Sequence, residues 1–325
     1  MNIGPRRSAL PVAGFALFAL LMLVLVPLAL AGQGYWLTVL TTAALLAFAS
    51  LGVWLTFSIG RINIAQGAFT LIGGYVVAIL ATRYHVSFWF ALPLAVLAAM
   101  VIAVLVGWPI LRLRGVYFAM ITLSLTEVAS LAFLNGGSFT AGASGITSIP
   151  RPALLSSSLE IYLASAVLLL IGIVITWRFA ASPAGAVFRS LRQGEELAAS
   201  LGINVARYRL LAFVVSSGMG GGAGALFAAF QQNIFPTSYT VNDSVNFMLY
   251  CFLGGLQSVA GPVVGAFLLV IAFQLLSVIQ RFQALLYGIF MIAAMLFLPN
   301  GLMSLPQVLA SQLRRTGALD NTRAG

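Results

Sequence analysis

The chain has 325 residues, of which 61% are hydrophobic and 7% charged, and its formal net charge is +10. A soluble globular protein is about half apolar and a quarter charged. This composition therefore excludes disorder, a disulfide scaffold and an ordinary soluble enzyme, and implies an all-α polytopic membrane protein.

A bilayer core of about 30 Å needs roughly 20 apolar residues per helix. Ten such runs follow one another: Val12–Ala31, Tyr35–Ile59, Ile62–Thr82, Phe88–Leu111, Val116–Leu134, Ile161–Trp177, Leu210–Phe230, Val245–Leu256, Pro262–Ile279 and Ala284–Leu298. Arg6 and Arg7 before the first run, with Ala29-Leu30-Ala31 at its end, imitate a secretory signal. The run is longer than the roughly 7–15 apolar residues of a signal, so a retained helix is expected.

All 16 basic residues are arginine. Alternating spans from an inner N-terminus put Arg6, Arg7, Arg61, Arg112, Arg114, Arg178, Arg189, Arg192, Arg207, Arg209, Arg314, Arg315 and Arg323 inside, and only Arg83, Arg151 and Arg281 outside. Thirteen against three obeys the positive-inside rule, with both termini cytoplasmic. Basic residues scattered among apolar spans also argue against nucleic acid as a partner. Without lysine there is no P-loop and no Schiff-base lysine. A single cysteine, Cys251, and a single histidine, His85, cannot build a Cys/His zinc site or an internal disulfide. No cofactor is expected. Cys251 is read as a small buried residue and His85 as solvated at an outer helix end.

The whole chain, 1–325, is read as one transmembrane domain. Residues 135–160 form an outer loop rich in Gly, Ser, Thr and Pro, residues 178–209 a polar inner loop, and residues 306–325 a flexible inner tail. Two segments read as broken helices, which point to transport sites in membrane proteins. Gly60–Gly67 carries Arg61, Asn63 and Gln66; Gly254–Gly265 carries Gln257, Ser258 and Gly261-Pro262. The alternative for both is a connecting turn at the membrane surface. Glu127 is the one acid inside a clear span, where a carboxylate faces a cavity or another helix. Asn63, Gln66, Glu127, Gln257 and Ser258 are thus candidate pathway residues. The G-x-G-x-x-A spacing at Gly218, Gly220 and Ala223 lacks the preceding strand of a dinucleotide site. Gly218 with Gly222, and Gly220 with Gly224, suit close helix packing instead.

The inner loop reads as two short helices. Ser182 is an N-cap with Pro183 at the first helical position. Ala184, Val187, Phe188 and Leu191 form one apolar stripe. Glu195 and Glu196 suit the positive end of a second helix, and Gly202 suits its termination. Such a pair either lies on lipid headgroups or docks a cytoplasmic partner.

Four motifs carry a resemblance. Ser182-Pro183-Ala184-Gly185 with Glu195-Glu196-Leu197-Ala198-Ala199-Ser200-Leu201-Gly202 resembles the coupling loop of ABC importer permeases. Leu111-Arg112-Leu113-Arg114-Gly115-Val116-Tyr117, Gly145-Ile146-Thr147-Ser148-Ile149-Pro150 and Gly254–Ala266 resemble stretches of the branched-chain amino acid (LivM-type) permease family. The similarity runs from about Gly60 to Gly301. Gln257 stands in place of a usual Gly, and Leu197 follows Glu196 where an Ala is common. Residues Ile62–Gly67 look closer to the sister subunit.

The resemblance implies an ABC importer permease with broken helices in a bacterial inner membrane, lacking ATPase activity of its own. Its partners would be two cytoplasmic ABC ATPase subunits, a second homologous permease and a periplasmic or lipid-anchored solute-binding protein, besides membrane lipid. Phe188, Leu191, Arg192, Glu195, Glu196, Ala198, Ala199 and Gly202 would couple it to the ATPases. The implied solute is a branched-chain or other hydrophobic amino acid; close relatives carry urea and short amides. A secondary transporter would need charged pairs deep in several spans, and a membrane enzyme a polar cluster, and neither pattern is present.

Overall fold

A computed structural model describes residues 12–30, 32–113, 115–277, 282–297 and 301–302. Arg6, Arg7, Arg114, Arg281, Arg314, Arg315, Arg323 and the tail from 306 lie outside the described residues.

The first helix is α1 (Val12–Leu20), a π-helical turn (Leu21–Leu25) and α2 (Val26–Ala29) in sequence. Pro27 lacks the N–H that would bond one turn back, which favours a local change of pitch. The wider turn bonds the Val26 N–H to the Leu21 carbonyl. That frees the Met22 carbonyl, which accepts a hydrogen bond from the buried Tyr162 hydroxyl at 3.0 Å.

Next come α3 (Gly34–Ser58), α4 (Gln66–Arg83), α5 (Phe88–Ile110), α6 (Val116–Leu134) and the short α7 (Gly137–Thr140). After the outer loop follow α8 (Ser158–Ala181), α9 (Pro183–Gln193), α10 (Glu195–Ser200) and α11 (Val205–Gln231). The last three are α12 (Val241–Gly254), α13 (Gly261–Leu276) and α14 (Gln283–Phe297). Five helices, α3, α5, α6, α8 and α11, are long and apolar enough to cross a membrane by length and composition.

Boundaries moved where capping was overlooked. The Ser157 hydroxyl accepts from the Glu160 N–H and the Glu160 carboxylate from the Ser157 N–H, so α8 starts three residues before Ile161 and Glu160 belongs to a helix, not to the outer loop. The Thr240 N–H donates to Asp243 at 2.7 Å and starts α12 at Val241, ahead of Val245. Residues 62–65, placed in a span by hydropathy, are not helical.

Helix α11 is the axis, packed against α3, α4 and α5. Its glycines let backbone approach backbone at two points of the contact. A Cβ on Gly224 would lie 1.8 Å from the Thr70 carbonyl oxygen, and one on Gly73 would lie 2.0 Å from that of Gly221. The glycines at 218–224 thus serve packing, as expected. On α5 the matching surface is Ala91, Ala95, Ala99, Ala103 and Gly107, small residues four apart and all buried. Cys251 is fully buried, its thiol against the Ser50 carbonyl at 3.2 Å, and His85 is exposed.

The outer face of α5 is apolar throughout, with Leu94, Leu97, Val101 and Leu105 exposed, as a lipid-facing helix requires. At one end of the bundle β1 (Ile146–Thr147) pairs antiparallel with β2 (Asn233–Ile234). Arg83 donates to the Ser138 carbonyl and Arg151 to that of Phe230 at this same end. This bridge between segments distant in sequence was not foreseen, since two residues per strand leave no periodicity to read.

Candidate functional site

Between α3 and α4 the chain turns through Gly60, at φ +77°, and runs non-helically from Arg61 to Ala65. Its backbone groups are satisfied by side chains from other helices. The Ile64 N–H donates to Thr122 Oγ1 at 3.2 Å, and the Gly67 N–H to Ser244 Oγ at 3.0 Å. Thr126 donates to the Ile64 carbonyl and lies 3.0 Å from Ser244 Oγ. Within the segment, Asn63 Oδ1 accepts from the Ala65 N–H at 3.0 Å. Buried non-helical backbone survives only with such internal partners. Thr122, Thr126 and Ser244 are therefore the cost-bearing residues of the break. The polar character of α6 was legible in sequence, its role was not.

Gln66 is fully buried. Its Nε2 donates to the Ala49 carbonyl at 2.9 Å and the Ser216 carbonyl at 3.2 Å, while Oε1 accepts from Ser216 Oγ at 3.2 Å. One side chain thus pins α3, α4 and α11 together. Asn63 is equally buried, and its Nδ2 has no hydrogen-bond partner among the described residues.

The break meets the inner loop directly. A Cβ on Gly60 would stand 3.3 Å from the Cα of Arg192 on α9, so only a glycine turn admits this approach. Arg61 is buried; it donates to the Leu113 carbonyl at 2.5 Å and lies over the Phe118 ring at 5.6 Å. Its other terminal nitrogen is 3.5 Å from the Glu195 carboxylate. Glu195 also pairs with buried Arg209 at the start of α11. A cavity of about 400 Å³ opens beside this cluster, lined by Trp108, Arg112, Glu195, Glu196, Ala199 and Arg209 among others.

The loop helices form with their expected caps. The Ser182 hydroxyl accepts from the Gly185 N–H, Pro183 begins α9, and Gly202 ends the second helix at φ +81°. The apolar stripe faces the bundle: Phe188 and Leu191 are buried, and Phe188 meets the Tyr208 ring edge-on. Ala198 is buried as well. Arg192, Glu196, Ala199 and Gly202 are exposed. So are two leucines that the sequence reading left out of the candidate coupling residues, Leu197 at 69% and Leu201 at 73%. They are four apart and share a face.

The other candidate pathway residues are dispersed. Glu127 is exposed on α6, on a face shared with Tyr117, Met120, Ser124 and Leu131. Gln257 is exposed and Ser258 half-buried, its hydroxyl accepting from the Ala260 N–H at 3.2 Å. Both lie in a tight turn between α12 and α13. A Cβ on Gly254 would be 1.7 Å from the Gly261 carbonyl oxygen, and Trp54 anchors the turn by donating to the Leu256 carbonyl at 3.0 Å. The two glycine-flanked segments therefore differ: one is sealed by side chains from α6 and α12, the other is a close-packed turn that leaves Gln257 outward.

A helix-rich, multi-pass membrane protein is the class these features define. The family described as "Branched-chain amino acid transport system / permease component" matches residues 35–298. The chain belongs to that family. It is 31% identical over 278 residues to the high-affinity branched-chain amino acid transport system permease protein LivM of Escherichia coli (strain K12), covering 77% of this chain and 65% of that relative. It is 26% identical over 273 residues to the corresponding LivH protein of Salmonella typhimurium, covering 77% of this chain and 88% of the relative. A probable LivH permease protein of Methanocaldococcus jannaschii is 24% identical over 267 residues, 74% of this chain and 82% of its own length. No solved structure matches the chain significantly.

Proposed function

We propose that this chain is the transmembrane permease subunit of an ATP-driven ABC importer that carries a branched-chain or other hydrophobic amino acid across a bacterial inner membrane. It crosses the membrane ten times as one domain, with both ends and residues 178–209 in the cytoplasm. Two ATPase subunits dock on residues 182–203, a second homologous permease completes the pathway, and a binding protein delivers solute at the end where β1 and β2 meet.

The observation that carries this reading is the seating of α9 and α10. Their inner face, through Phe188, Leu191 and Ala198, is fixed to the bundle, while Leu197 and Leu201 stay exposed beside Arg192 and Glu196. Two apolar side chains held outward on a rigid, charged-rimmed support fit a protein partner. The face of α6 bearing Glu127 supports the second permease. A carboxylate exposed on an apolar helix cannot face lipid, and a shared water-filled interface resolves it. Hydrolysis belongs to the partners; this chain has no lysine for a P-loop.

The test is reconstitution. The chain, its permease partner and both ATPases are placed in proteoliposomes, with the binding protein and radiolabelled leucine outside. Uptake that needs ATP and all components is expected. Leucine uptake by the chain without ATPases, or labelling of residues 182–203 from the outer side of intact cells, overturns the proposal.

A further inference from the structure

We infer that Glu195 is the positioning residue that makes the docking loop and the non-helical segment after α3 move as one body. The inference rests on the reading of residues 182–203 as the ATPase dock, and goes beyond it by naming what transmits the movement.

One carboxylate meets two arginines from different parts of the bundle. Arg61 belongs to the non-helical segment after α3, Arg209 to the first turns of α11, and Glu195 opens α10. Both guanidinium groups reach on to carbonyls at the end of α5, Arg61 to Leu113 and Arg209 to Leu111 at 3.5 Å. Glu195 therefore ties α10 to the break, to α11 and, through them, to the α5–α6 turn. A planar guanidinium, with five donors in a fixed fork, can bridge a carboxylate and a carbonyl at once.

The electrostatics give the tie its stiffness. Arg61 and Arg209 are buried and Glu195 partly so, at 26% side-chain exposure. Charge pairs in such surroundings are weakly screened, and separating them exposes two buried guanidinium groups to an uncompensated site. Beside the ion cluster, Gly60 lets α9 approach the break to van der Waals contact through Arg192. A push on α10 has therefore two routes into residues 60–65, one steric and one ionic. Behind that segment stand Thr122, Thr126 and Ser244, so displacement of the break reaches α6 and α12.

The experiment uses the complete reconstituted complex. Glu195→Gln removes the charge and retains the shape. Glu195 lies within the dock, so the readout is normalised to the ATPase that copurifies: leucine taken up per ATP hydrolysed by the bound ATPase should fall about tenfold or more, within the range of ordinary coupling energies. Glu195→Asp, which keeps the charge, should restore much of the ratio. Spin labels at Ile62→Cys and Gln193→Cys, in a Cys251→Ala background, report the tie directly. ATP should shift their separation by less than about 2 Å in the parent and by about 5 Å, or into two populations, in Glu195→Gln. An unchanged uptake-to-ATP ratio in Glu195→Gln overturns the inference, as does a large ATP-dependent change in the parent separation. Loss of ATPase binding is a different failure. If Leu197→Asp leaves ATPase association intact, the docking reading itself is wrong.

Discussion

Gly224→Ala should be among the most damaging conservative substitutions in the chain. The added methyl would lie 1.8 Å from the Thr70 carbonyl oxygen, 2.6 Å from its carbon and 3.1 Å from the Gly74 nitrogen. An ordinary carbon–oxygen contact is about 3.4 Å, so α4 and α11 must part by roughly 1.6 Å. All three obstructing atoms are backbone, so no rotamer change relieves the clash. Overpacking costs about 1–3 kcal/mol, and a rigid obstacle belongs at the upper end. At roughly 2–4 °C per kcal/mol for a chain of this size, melting in detergent should fall by about 6–12 °C. Gly288→Ala on α14, where nothing lies within 4 Å of the added carbon, is the control and should melt near the parent. The reasoning is refuted if Gly224→Ala melts within about 2 °C of the parent, which is less than 1 kcal/mol can produce.

Gln66→Leu removes three hydrogen bonds at nearly constant volume; at about 0.6 kcal/mol each in a membrane protein, unfolding in mixed micelles should show a loss of roughly 2 kcal/mol. Leu197→Asp and Leu201→Asp, at exposed positions, should leave melting unchanged and lower ATPase copurification more than about tenfold, as hot-spot losses do. Glu127→Gln should assemble normally and alter leucine transport; if Glu127→Leu transports like the parent, the α6 face does not line a pathway. Tyr162→Phe loses its bond to the Met22 carbonyl and should lower stability by about 1 kcal/mol, measured by the same melting assay.

Local features were legible in the chain because their causes are local. Ser182-Pro183 and Gly202 mark the ends of α9 and α10 through capping chemistry, and the glycine spacing at 218–224 announced a close helix contact. The capping boxes Ser157/Glu160 and Thr240/Asp243 were equally visible, and hydropathy windows overrode them. What could not be read was the meeting of distant segments. Arg61 and Glu195 are 134 positions apart, and nothing in either neighbourhood selects the other. The amphipathic stripe Val187, Phe188 and Leu191 was visible, but which side of it faces the bundle is decided by Tyr208 and the end of α3, so the outward Leu197 and Leu201 were missed. Gln66 looked like a polar residue awaiting solute; three backbone and hydroxyl groups from α3 and α11 already claim it.

Where Gly224 of α11 meets Thr70 of α4, and Gly73 of α4 meets Gly221 of α11, peptide planes touch with no side chains interposed. Interdigitated side chains can swap rotamers and let helices slide by fractions of an ångström, but bare backbone offers no such lubricant. With Gln66 pinning the same two helices, the α4–α11 pair is held as a single beam.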